Sequence, residues 1–165
     1  MILATVLLLT ASTSALKGDE IARSRDGALT LSVLPKDLVE KEIQGCSCAF
    51  RTAKASRGAG RLVLAWEFGG EGRVPVQING QTRRLKVISE TSPNNTGEHT
   101  ELRKGDQTLF TLAGEETRVL VDCRATSTCA ESSSESCEGS RYDCSVAVDS
   151  VGARVVLPVS GECGC

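Results

Sequence analysis

Residues 74–88 read VPVQINGQTRRLKVI, two extended runs joined by Asn79-Gly80. Asn-Gly between such runs supplies the two positive φ angles of a tight type I′ hairpin. Val74, Val76 and Ile78 fall on one face of the first run, and Leu85 and Val87 line the return. Pro75 lacks a ladder donor, so this strand is expected at a sheet edge or a bulge. A period-two pattern on both sides of a two-residue turn specifies antiparallel β structure.

The same period recurs outward from this hairpin. Residues 28–34 place Leu29, Leu31 and Val33 on one face, and residues 61–68 place Leu62, Leu64 and Trp66 on one face. Thr100–Arg103 and Thr108–Leu112 flank Lys104-Gly105-Asp106, which reads as a second hairpin. Residues 118–125, 141–149 and 153–160 complete the series. Lys36–Ile43 reads as one short helix, two turns that need tertiary packing to persist. The expected fold is all-β: a small antiparallel β-sandwich or barrel of eight to nine strands.

The chain has 165 residues and eight cysteines. Residues 1–15, MILATVLLLTASTSA, are uncharged and apolar, end in small residues, and read as a secretory signal peptide cleaved before Leu16. The apolar run is shorter than the ~20 residues a membrane span requires. Residues 16–26 are polar and are expected to form a flexible leader. Residues 27–165 then form a single disulfide-bonded domain, with no membrane anchor left after signal removal. A secreted or periplasmic location follows, and eight cysteines in an exported chain read first as disulfides. The net charge of −2 gives no basis for nucleic-acid binding. Three Phe, one Trp and one Tyr are too few for a base-stacking platform, and the core is expected from Val, Leu, Ile and Ala.

Directly opposed residues of an antiparallel hairpin share a constant index sum. If 118–125 pairs with 141–149 at a sum of 267, Cys123 faces Cys144, Val121 faces Val146, Val119 faces Val148 and Ala125 faces Tyr142. All of these lie on the apolar faces that alternation assigns independently. Cys129 with Cys137 sums to 266, a mismatch that one bulge or a flexible loop end absorbs. Nested bridges Cys123–Cys144 and Cys129–Cys137 are therefore expected. The remaining cysteines form Cys46-Ser47-Cys48 and Cys163-Gly164-Cys165. Residues i and i+2 of a strand point to one side, so antiparallel arms allow Cys46–Cys165 and Cys48–Cys163. The alternative is a thiolate metal site of Cys46, Cys48, Cys163 and Cys165, or thiol exchange at an exposed arm. Eight cysteines allow 105 pairings in all.

No catalytic set and no cofactor motif emerges, and the chain is read as non-enzymatic. His99 is the single histidine, on a loop with no nucleophile elbow in the sequence. Glu115, Glu116, Asp122, Asp143 and Asp149 show no pattern that brings two together. Arg51, Lys54, Arg57 and Arg61 form a basic cluster without interleaved aromatics, which reads as a solvated loop. Asn94-Asn95-Thr96 is a glycosylation sequon.

The order of signal peptide, Gly-Cys-Ser-Cys-Ala-Phe (45–50), β-rich body, Arg-Tyr (141–142) and terminal Gly-Glu-Cys-Gly-Cys (161–165) resembles small exported bacterial proteins of uncharacterised function. Residues 76–85, VQINGQTRRL, with 103–109, RKGDQTL, are similar to segments of periplasmic C-type lysozyme inhibitors, which are small β-barrels. That likeness implies inhibition of a cell-wall hydrolase. Residues 95–100, NTGEHT, stand where that family carries its serine-glycine-arginine-tyrosine loop. The expected function is an exported binding or structural protein whose ligand is unknown and whose partner is an envelope or extracellular protein. The alternatives are the hydrolase inhibitor and a metal or redox protein using the two Cys-X-Cys arms.

Overall fold

The computed structural model describes residues 19–53, 60–68, 73–93, 101–129 and 139–165. Its strands are β1 (Glu20–Arg23), β2 (Thr30–Ser32), β3 (Ser47–Thr52), β4 (Leu62–Glu67), β5 (Arg73–Ile78), β6 (Gln81–Thr91), β7 (Gln107–Gly114), β8 (Thr117–Ser127), β9 (Gly139–Ser150) and β10 (Ala153–Gly164). One helix, α1, spans Lys36–Glu42. The strands form a single antiparallel sheet in the order β1-β2-β5-β6-β7-β8-β9-β10-β3-β4, curled into a half-barrel.

Strands β5 to β10 are a sequential meander, each antiparallel to the next, and two-residue turns set the register of β5–β6, β7–β8 and β9–β10. Asn79 and Gly80 have φ of 51° and 75°, the left-handed pair a type I′ turn requires. Val151 and Gly152 take the same conformation, 48° and 77°, between β9 and β10. The β3–β4 hairpin returns along the far side of β10, and the β1–β2 hairpin lies along β5.

The inner face carries the core. Val74, Val76, Leu85, Leu112, Val119, Val121, Val146 and Val148 are buried there, as alternation requires. The half containing the disulfides also holds the aromatic cluster. Phe50 and Trp66 stack at 5.0 Å, and Phe110 meets Trp66 edge-on at 5.2 Å. Aromatic pairs of this kind add to area burial. The core is thus not purely aliphatic, because curling brings β3, β4 and β7 across from one another.

The two ends of the curled sheet approach each other. The Leu34 N–H, just past β2, donates to the Leu62 carbonyl of β4 at 2.9 Å. Helix α1 lies over this junction. Leu38, Val39 and Ile43 pack with Ala49, Leu62 and Ala65 on the outer face of β3 and β4, while Glu42 grips Arg84 of β6. The helix has no fully buried residue. It closes the junction with one apolar side and one ion pair.

Four expectations change. Residues 19–26 are not a leader: Ile21 and Ala22 pack against the core, and β1 pairs with β2. Glu101–Arg103 does not form a strand, and Lys104-Gly105-Asp106 is not a hairpin tip. The Gly105 N–H donates to the Ala125 carbonyl at 2.8 Å and the Ala125 N–H to the Asp106 carbonyl at 2.9 Å, so this segment docks on the end of β8. Leu62 does not share a face with Leu64 and Trp66, because the β3–β4 register shifts between Phe50 and Arg51 and turns Leu62 toward α1. The ten strands exceed eight or nine through β1 and β3, whose short runs carry weak alternation. Pro75 lies beyond the end of β2, on a stretch of β5 where only β6 is a ladder partner.

Candidate functional site

The disulfide end of the half-barrel is where chemistry-bearing residues gather. Strand β10 pairs with β3 so that Cys163 faces Cys48 and Gly164 faces Ser47. Bridges join Cys48 to Cys163 and Cys46 to Cys165, across Cα separations of 4.0 and 4.1 Å. Cys123 faces Cys144 at the index sum of 267 and is bridged to it. Cys129 is also disulfide-bonded. The expected pairing of Cys129 with Cys137 involves a residue outside the described ones. A four-thiolate metal site at Cys46, Cys48, Cys163 and Cys165 is not present: all four sulfurs are spent on one another, leaving no thiolate ligand. Among the described residues no group of His, Cys, Asp or Glu is arranged to hold a metal ion.

The outer bridge is held from the β4 side. Glu67 Oε1 accepts hydrogen bonds from the Gln44 N–H and, at 2.9 Å, from the Gly45 N–H. The Phe68 N–H donates to the Cys46 carbonyl at 2.9 Å. One carboxylate thus satisfies the two amides that lead into the Cys-Ser-Cys arm.

A second group sits on the inner face at this end. Glu90 lies opposite Phe110 and so faces inward, because the β6–β7 register shifts between Val87 and Ser89. Glu90 stays exposed to solvent, yet desolvation raises its carboxyl above the ordinary range. Tyr142 is 6% exposed. Burial raises its phenol, a Ser140 hydrogen bond opposes the shift, and the Glu90 charge adds to it. Thr108 and Thr128 bury hydroxyls without a hydrogen-bond partner in the same half. A carboxyl and a phenol whose values both move up beside each other can donate and accept hydrogen bonds. Nothing in the sequence announced this pair, since only the bulge at Ile88 brings Glu90 inward.

Of the carboxylates weighed from sequence, Glu115, Glu116 and Asp149 line one pocket beside Arg118 and Arg154, at the β7–β8 and β9–β10 turns. Glu115 pairs with Arg83 at 3.4 Å, Asp149 pairs with Arg154 at 3.6 Å, and Asp122 accepts from Gln107 Nε2 at 2.7 Å. Arg61 pairs with Asp19 at 3.4 Å and Arg51 is exposed on β3, whereas Lys54 and Arg57 lie outside the described residues. His99 and the sequon at Asn94 also lie outside them.

The outer face presents two surfaces. Thr111, Leu120, Ala147 and Val156 are directly opposed across β7 to β10 and form one cross-strand row. Ile88 joins it at the β6 bulge, and Ile88 and Val156 are 60% and 57% exposed. Arg118, Asp149 and Arg154 form the neighbouring charged row. Near the disulfide end, a groove of about 490 Å³ runs between Arg51, Arg141, Asp143 and Glu162.

These features define a disulfide-bonded all-β protein. No protein-family model matches the chain, and no curated protein or solved structure matches it significantly. No helix among the described residues is long and apolar enough to cross a membrane.

Proposed function

We propose that this chain is an exported, non-enzymatic binding protein of an oxidising compartment, secreted or periplasmic. The observation that carries the reading is the outer row in which Ile88 and Val156 are exposed, with Leu120 half-buried and Ala147 buried between them, beside the charged row of Arg118, Asp149 and Arg154. Apolar side chains held in line on a rigid sheet and rimmed by charge mark interaction surfaces. The Cys123–Cys144 bridge ties β8 to β9 beneath that row, which lowers the ordering entropy of binding. Oxidised cysteines support export, since such bridges persist in oxidising compartments.

The test has two arms. Protein recovered from the exported fraction is expected to begin at Leu16 and to show no free thiol under denaturing titration. Recovery only in the cytoplasm, uncleaved and reduced, would end the reading. In the second arm, Leu120→Lys with Val156→Asp is compared with the native chain for partners retained from an extracellular or envelope extract. A partner kept by the native chain and lost by the variant supports binding through this row. Equal retention by both chains rejects it.

A second reading, inhibition of a cell-wall hydrolase, is favoured by one observation. The two segments similar to C-type lysozyme inhibitors fall on adjoining strands of the meander, β5 with β6 and the start of β7. Lysozyme assays at micromolar excess of the exported protein test it, and undiminished lysis rejects it.

A further inference from the structure

The two bridges between the β3 and β10 arms differ in access and in what their opening would release. Cys48 and Cys163 lie in the core, 0% and 9% exposed, within the ladder of β3 and β10. Cys165 is exposed, lies past the last ladder pair Gly164–Ser47, and has Cys46, half-buried, as its partner. A thiolate must reach a sulfur nearly in line with the bond it breaks, so access ranks the two bridges. The Cys46 arm also has anchors that do not involve its sulfur. Glu67 receives the Gln44 and Gly45 amides, and the Phe68 N–H holds the Cys46 carbonyl. Opening the outer bridge therefore releases Cys165, which lies outside the ladder, and leaves both strands in register.

We propose that Cys46–Cys165 is a thiol-exchange site, taking a small thiol or dithiol reductant, while Cys48–Cys163 two residues inward stays closed and holds the fold. The sulfur of Cys165, the more exposed residue of the pair, is the point of attack. The incoming thiolate forms a mixed disulfide with Cys165, the Cys46–Cys165 bond breaks, and Cys46 leaves as the thiolate and takes up a proton from water. A second thiol attacks the mixed disulfide, giving the oxidised reductant and free Cys165. Two electrons pass from the reductant to the protein bridge, and the inner disulfide is untouched. The inference does not depend on which partner the outer face binds.

The test uses the full chain with Cys129→Ser and Cys137→Ser, so that only the three described bridges remain. The protein is exposed to increasing dithiothreitol under native conditions, alkylated, and mapped by peptide mass spectrometry, with Trp66 fluorescence followed in parallel. Cys46 and Cys165 are expected to be alkylated at least about tenfold faster than the other four cysteines, with the fluorescence unchanged. Glutathione in place of dithiothreitol is expected to leave its adduct on Cys165. Alkylation of Cys48 and Cys163, or of Cys123 and Cys144, at the same rate as the outer pair would overturn the proposal. So would loss of the folded fluorescence in step with the first labelling. A Cys46→Ser, Cys165→Ser variant controls for general opening: it should take no label at the dose that opens the native outer bridge, and labelling there would also overturn it.

Discussion

The Phe50 ring rests on the backbone of Gly161, directly across the β3–β10 pair. A Cβ at Gly161 would lie 2.8 and 2.9 Å from the Cε1 and Cδ1 of that ring and 3.1 Å from Cys144 Sγ. The glycine is thus what lets the ring lie flat, stack on Trp66 and reach Phe110 at 6.2 Å. Neither the ring nor the bridged sulfur is the far end of a flexible chain, so neither yields cheaply. Gly161→Ala is expected to destabilise the domain by about 1–3 kcal/mol through overpacking. Denaturant unfolding followed by Trp66 fluorescence measures this, and an unchanged midpoint would show that the cluster repacks freely.

Two turns of the same geometry carry different residues. At the β5–β6 turn, Asn79 Oδ1 accepts from the Thr30 N–H at 2.7 Å and from Thr30 Oγ1 at 3.1 Å, and Asn79 Nδ2 donates to the Ala28 carbonyl at 3.1 Å. Asn79 thereby ties β2 to the hairpin while adopting a left-handed φ that Asn tolerates. Asn79→Ala is expected to cost about 2 kcal/mol or more, from lost hydrogen bonds and backbone strain together. At the β9–β10 turn, Val151 is β-branched at φ 48° and 52% exposed, with no comparable recompense. Val151→Asn is expected to stabilise by about 1 kcal/mol. Thermal unfolding of both variants checks the pair of opposite signs.

The nested bridges are not additive. Cys48–Cys163 alone closes a loop of 115 residues, worth about 4–5 kcal/mol in the chain-entropy model. With it in place, Cys46–Cys165 closes only a small ring of arm residues, worth about 2 kcal/mol in the same model. Cys46→Ser with Cys165→Ser is therefore expected to cost about 2 kcal/mol. Removing both bridges should cost far more than twice that, measurable by urea unfolding. Cys48→Ala with Cys163→Ala should cost more than the outer pair alone, since these sulfurs also fill the core. Equal, additive losses would mean that the arms do not share one closed loop in the folded protein.

Much of this was legible in the sequence because the meander is local. Asn79-Gly80 set one turn, and the register that pairs Cys123 with Cys144 is the one that aligns Val119, Val121 and Ala125 with Val148, Val146 and Tyr142. What escaped has physical causes rather than weak statistics. A bulge shifts phase by one residue without a residue-type signature, and such shifts moved Leu62 to the outer face and Glu90 to the inner one. Ile21 and Ala22 are too few to mark a strand, and β1 exists only because β2 and the core are there to receive it. Val151-Gly152 gave no turn signal because valine rarely takes that backbone conformation. The outer apolar row was likewise hidden: Leu120, Ala147 and Val156 are far apart in sequence and meet only through register.

The latch over the sheet junction should carry a small acid-sensitive contribution. Arg84 Nη1 and Nη2 donate to the two Glu42 carboxylate oxygens at 2.6 and 2.7 Å, a paired geometry that joins α1 to β6. The Arg84 hydrogen bonds hold the Glu42 carboxyl below its ordinary value; burial opposes this, and the charges of Arg84 and Lys41 add to it. A carboxyl lowered in the folded state stabilises fully above its unfolded value, and that contribution is lost as pH falls through the folded one. Because the Arg84 side chain is 38% exposed, solvent screening limits the pair to about 0.5 kcal/mol. Glu42→Gln is expected to remove that increment at neutral pH and leave stability near the parent's at strongly acidic pH. Arg84→Met should act in the same direction. Urea midpoints across the acid range measure this, and a variant that loses as much at low pH as at neutral pH would show that α1 is held by its apolar side alone.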